Sequence, residues 1–167
     1  MALTLIDRVM QLPLDPGMLQ FNAALAAAMP SGSEALPLQQ QRNTWNAVCA
    51  QFAAPLPDSI ESIDISAHGV ACRILKPRSN KMRAGVIYGH GGGWVLGGPH
   101  THTDMCAELA AGADCVVVLI DYRLAPEHPY PAQLEDSLKV WRWMREHGHS
   151  HGIDPARIEV IKGPSGS

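Results

Sequence analysis

The chain has 167 residues, 46% of them apolar and 17% charged, which suits one globular domain with a sizeable core and excludes a disordered polymer. Its net charge is -3 with histidine neutral, so no broad basic surface argues for a nucleic-acid partner. No window approaches the roughly 18 apolar residues of a membrane span, and Asp7 and Arg8 interrupt the first apolar run too early for a signal peptide.

Residues 1–57 read as a helical segment. Asp15-Pro16 places a capping side chain before a proline suited to a first helical turn, and Pro30-Ser31-Gly32 ends that run. A second helix fits Leu38 to Phe52, with Trp45, Val48, Cys49 and Phe52 on one face and Gln39, Gln40, Arg42 and Asn43 on the other. Beyond the Pro55–Pro57 break, Ile63 and Ile65 alternate with polar residues, as do Val70, Cys72 and Ile74 around Arg73. His68-Gly69 between them predicts an antiparallel hairpin. Lys76, Arg78, Lys81 and Arg83 read as a solvated loop.

Ala84–Tyr88 and Cys115–Ile120 are apolar without alternation, as strands covered on both faces are. A helix from His102 to Ala113 carries the stripe Met105, Cys106, Leu109 and Ala110. Another starts at Pro131 and ends before Gly148, with Leu134, Leu138, Trp141 and Met144 along one face. Ile158–Ile161 is a fifth strand. Hairpin, strand, helix, strand, helix, strand implies an α/β fold, with a mostly parallel sheet and helices on both faces. Its site lies beyond the C-terminal strand ends, where His90–Trp94, Asp121–Pro131 and Gly163–Ser167 fall.

Three successive glycines in His90-Gly91-Gly92-Gly93-Trp94 leave backbone N–H groups open to close approach. Such groups can stabilise a developing oxyanion in acyl transfer; the bland alternative is a glycine-rich turn without chemistry. Together with Thr101-His102-Thr103-Asp104 and Asp121-Tyr122-Arg123-Leu124-Ala125-Pro126-Glu127-His128-Pro129-Tyr130-Pro131-Ala132, this stretch resembles the hormone-sensitive-lipase-like family of α/β-hydrolase esterases. The resemblance runs from roughly Ser59 to Arg157. It implies an α/β-hydrolase core over residues 58–167, incomplete and cut at the nucleophile elbow, preceded by a helical cap segment over residues 1–57.

The implied activity is hydrolysis of short-chain acyl esters by a serine on a G-x-S-x-G elbow. Ser165 maps to that nucleophile, and Gly91, Gly92 and Gly166 to the oxyanion-hole donors. His90, Gly93 and Trp94 shape the loop, while Asp121 and Glu127 hold the second motif's turn, one of them paired with Arg123. Gly163-Pro164-Ser165-Gly166-Ser167 departs from the elbow pattern at its last position, and Glu159 and Lys162 are unusual in a central buried strand.

In this fold the triad acid and histidine follow the serine, and only two residues do so here. This chain alone is therefore expected to be nearly inactive, and the alternative is a non-catalytic fragment or small-ligand-binding relative. If residue 167 is the end, Ile158–Ile161 becomes an exposed edge that favours association with other chains. A phosphate loop is rejected because G-K-[ST] is missing.

No cofactor is expected. The pair His100 and His102 and the set His147, His149 and His151 read as polar solvated loops in which no carboxylate or cysteine completes a ligand set, so no metal is expected either. Cys49, Cys72, Cys106 and Cys115 form no C-x-x-C pair. They read as free thiols of a cytoplasmic protein.

Overall fold

The computed structural model describes residues 15–29 and 31–163. Asp15 accepts hydrogen bonds from the amides of Gly17 and Met18, 2.8 and 3.3 Å away, and so caps α1, Pro16–Ala28. Helix α2 is Leu38–Phe52. On its expected apolar face only Val48 is fully buried. Phe52 is exposed and meets Phe21 of α1 edge-on, ring centroids 5.3 Å apart.

Strands β1, Ile60–Ala67, and β2, Val70–Pro77, form the expected hairpin, with Ala67 opposite Val70. His68 and Gly69 both have positive φ, 49° and 85°, which suits the right-handed twist of a two-residue turn. There follow β3 Arg83–Gly89, α3 Thr103–Gly112, β4 Val116–Ile120, α4 Ala132–His147 and β5 Ile153–Lys162. The sheet order is β1-β2-β4-β3-β5. Strands β4, β3 and β5 are parallel, β2 is antiparallel to β4, and β1 is antiparallel to β2. Four of the five described strands therefore point one way, as a mostly parallel sheet requires.

All five residues of β4 are buried. Val116, Val118 and Ile120 face one layer with Val140, Trp143 and Met144 of α4, whereas Val117 and Leu119 face the other with Cys106, Ala107 and Ala110 of α3. Each fully buried aliphatic side chain contributes about 1.5–3 kcal/mol, so this double-sided core, rather than helix propensity, holds both helices in place.

Several expectations change. Leu134 and Leu138 are 49% and 45% exposed; α4 packs instead through Val140, Trp143 and Met144 with the buried Gln133 and Asp136. Met105 points outward, and Ala107 takes its place against the sheet. Arg83 is no loop residue: it opens β3, only 8% exposed, and its guanidinium donates to Asp114 at 2.6 Å. The last strand is longer than Ile158–Ile161, with an irregular register between its two ends. It pairs with β3 alone among the described residues, which gives Glu159 a place at an edge. The four cysteines are free, and Cys72, Cys106 and Cys115 are buried. No described helix is long and apolar enough to cross a membrane.

Candidate active site

Strand β3 delivers its chain into His90–Trp94, and β5 delivers Gly163 beside it. Gly163 N–H donates to Gly89 O at 2.7 Å. A Cβ on Gly163 would lie 2.8 Å from Tyr88 Oη and 2.9 Å from Gly91 N, so only glycine allows the two segments to approach this closely. Ser165 and Gly166 follow within three residues and lie outside the described residues.

His90 is fully buried, stacked on Tyr122 with ring centroids 4.1 Å apart. Its Nδ1 lies 2.8 Å from Gly91 O, and the Tyr122 hydroxyl donates to His90 O at 2.7 Å. Burial lowers the His90 pKa to about 4, so the imidazole is neutral. The short Nδ1 contact to a carbonyl places the proton on Nδ1. Nε2 is buried without a partner among the described residues.

The three glycines are not equivalent. Gly91 N–H donates to His102 Nε2 at 3.2 Å, and His102 Nδ1 lies 2.8 Å from Thr101 Oγ1, which donates to Gly98 O at 2.7 Å. Burial lowers the His102 pKa, which keeps Nε2 an acceptor. The Gly91 N–H is therefore engaged by His102 in this structure. Gly92 and Gly93 have positive φ, 113° and 61°, and their N–H groups make no hydrogen bond among the described residues. Gly92 O instead accepts from Val95 and Leu96, closing a tight turn. Trp94 also has positive φ, 66°, and its ring lies 4.0 Å beneath Lys162 Nζ.

The second motif is held by charge. Arg123 pairs with neither Asp121 nor Glu127; its guanidinium donates to Asp136 at 2.9 Å and to Glu135 at 3.0 Å. Burial disfavours the Asp136 carboxylate, but the Arg123 hydrogen bonds outweigh it and lower its pKa. Glu127 pairs with Arg42 of α2 through two bonds of 2.8 Å, which hold its pKa down to about 2. Arg42 also donates to Val95 O at 2.9 Å and to Ala125 O at 3.0 Å. One side chain thus ties α2 to both motifs. Arg42 and His102 were missed because their partners lie in loops whose folding no local pattern announces. Asp121 keeps its backbone bond to Ala71 O, and its side chain is exposed. His128 turns outward while its carbonyl accepts from Gln133.

Beside Gly93 and Trp94 lies a mainly apolar cavity of about 630 Å³, bordered by Tyr130, Leu134, Val160, Ile161 and Lys162. Leu134 thus lines a cavity rather than the core.

A family model described as alpha/beta hydrolase fold matches residues 86–165. Esterase LipI of Mycobacterium tuberculosis is 41% identical over 119 residues, 67% of this chain and 37% of the relative. A solved esterase of the bacterial hormone-sensitive lipase family superposes with a TM-score of 0.71 at 28% identity, over 90% of this chain and 48% of that one. A hyperthermophilic esterase from the archaeon Pyrobaculum calidifontis gives 0.75 at 32% identity, over 90% and 50%. This chain therefore spans at most about half the length of these relatives.

Proposed function

Since the chain belongs to the hormone-sensitive-lipase-like family of α/β-hydrolases, we propose that the protein of which it is part hydrolyses short-chain carboxylic esters. The observation that carries this reading is the pair of N–H groups on Gly92 and Gly93 that make no hydrogen bond among the described residues, beside the close approach of Gly163 to Gly91. A nucleophile two residues beyond Gly163, Ser165, attacks the ester carbonyl. Its electron pair forms the C–O bond, its proton passes to a histidine base supplied by the rest of the protein, which returns it to the departing alkoxide, and the carbonyl electrons move onto oxygen. Gly92, Gly93 and Gly166 donate to that oxyanion. Collapse expels the alcohol and leaves an acyl-serine that water hydrolyses. Gly91 and His90 hold the loop without touching substrate, and Asp121 and Glu127 anchor the neighbouring turn. The 630 Å³ cavity suits a small acyl or alcohol group.

In the same reading residues 1–57 are a cap segment and 58–167 the hydrolase core. Support comes from α1 and α2, which join no strand while Arg42 of α2 reaches both site loops. Four free cysteines support a cytoplasmic location. Exposed Val160 and Ile161 support association through the β5 edge.

The test is turnover of p-nitrophenyl acetate and butyrate by the full-length protein beside its Ser165→Ala variant. Serine-dependent hydrolysis is expected. Equal rates in the two proteins would reject Ser165 as nucleophile.

A further inference from the structure

A metal-ligating cluster stands apart from the site just described. His68 in the β1–β2 turn meets the last turn of α4: its Nε2 lies 3.0 Å from Glu146 Oε2, and His147 Nε2 lies 3.8 Å from the same oxygen. Among the described residues these three form the one group of His, Cys, Asp or Glu side chains whose ligand atoms all lie within 4.8 Å of one another. A tetrahedral zinc ion with bonds of about 2.0–2.2 Å needs donors roughly 3.3 Å apart. The two separations from Glu146 bracket that value, and the two imidazole donors lie within 4.8 Å of each other, so the three side chains stand close enough to share one ion. The sequence hid this set because Glu146 and His147 sit 78 and 79 positions away from His68.

One further feature favours a ligand role over an ordinary surface contact. Glu146 lies in the C-terminal turn of α4, where the helix dipole disfavours a carboxylate and favours a cation. A divalent ion reverses that local conflict.

We propose that His68, Glu146 and His147 bind one borderline divalent metal such as Zn²⁺, with water completing the coordination. This set suits zinc, nickel or copper better than magnesium or calcium, because two of its three donors are imidazoles. The ion clips the hairpin turn to α4.

The experiment is calorimetric titration of the full chain with zinc chloride, in a Cys49→Ser background so that the half-buried thiol does not compete. One zinc per chain is expected. His68→Asn, which keeps a residue suited to positive φ, and Glu146→Gln should each weaken binding by about tenfold or more. Because all three side chains are exposed, these variants keep the fold, which circular dichroism checks. Zinc should also slow hydrogen exchange at the Gly69 and Val70 amides of the Cys49→Ser protein but not of its His68→Asn derivative. Unchanged affinity in His68→Asn, no uptake up to about 1 mM zinc, or uptake without protection of the turn would each overturn the proposal.

Discussion

The two loops that frame the candidate active site are held by largely different means. Residues 90–98 rest mainly on neutral, buried contacts, a stacked His90–Tyr122 pair, a His102 acceptor and glycines in conformations other residues resist, with Arg42 adding one charged bond to Val95 O and Lys162 lying over Trp94. Residues 121–131 rest on ion pairs that are partly exposed, Arg123 with Asp136 and Arg42 with Glu127. The first arrangement, held mainly by neutral groups away from water, is screened less by salt. The second couples that loop to α2 through groups that water and salt screen. The fold thus fixes the glycine loop largely by sterics and leaves the neighbouring turn adjustable by electrostatics.

The strongest way to break this contrast is Gly92→Ala. At φ 113° a Cβ collides with the carbonyl oxygen of Leu96, and we expect a loss of at least about 3 kcal/mol in urea unfolding, with the loop displaced. The next effect is proton-linked. His90 has a folded pKa of about 4 against about 6.5 unfolded. Its contribution is therefore complete above pH 6.5 and falls away as the pH drops from 6.5 towards 4. Stability should decline by about 2 kcal/mol between pH 7 and pH 5, and His102, lowered in the same direction, adds to it. Flat stability across that window would show that the first loop does not depend on neutral histidines.

Asp136→Asn probes the second loop. Loss of its charged bonds to Arg123 should cost about 1–3 kcal/mol. Because the Asp136 pKa is lowered, the wild-type advantage should hold above about pH 4 and vanish on further acidification, as parallel unfolding curves would show. The smallest effect belongs to Arg42→Gln. Its half-exposed partner Glu127 limits the stability change, but the Ala125 amide, which donates to Trp94 O, should exchange faster. High salt should reproduce that acceleration in the wild type.

Most of the scaffold was legible because its signals are local. Asp15-Pro16, His68-Gly69 and the unbroken apolar run of β4 each act through neighbours in sequence, and their elements stand where they were expected. Faces were harder to read than spans. Leu134 and Leu138 obey helical periodicity, yet they border a cavity and the surface while Asp136 is buried, since a long-range partner, Arg123, satisfies its charge. The glycine loop was identifiable as a site, but not which N–H groups remain uncommitted, since that depends on His102 folding back onto Gly91 from eleven positions away. Arg42 was read as part of a solvated helix face for the same reason: nothing local marks it as a partner of Glu127, 85 positions on.

The most direct test of the proposed site is covalent capture. A fluorophosphonate ester places a tetrahedral, oxyanion-like phosphoryl group on an activated serine, with fluoride leaving. The labelled residue of the full-length protein can then be identified by peptide mass spectrometry. We expect the adduct on Ser165, with labelling slowed strongly by Gly92→Ala and only slightly by Arg42→Gln. Labelling at another serine, or labelling of Ser165 at the same rate in the Gly92→Ala protein, would contradict the assignment of the 90–94 loop as the oxyanion donor opposite that nucleophile.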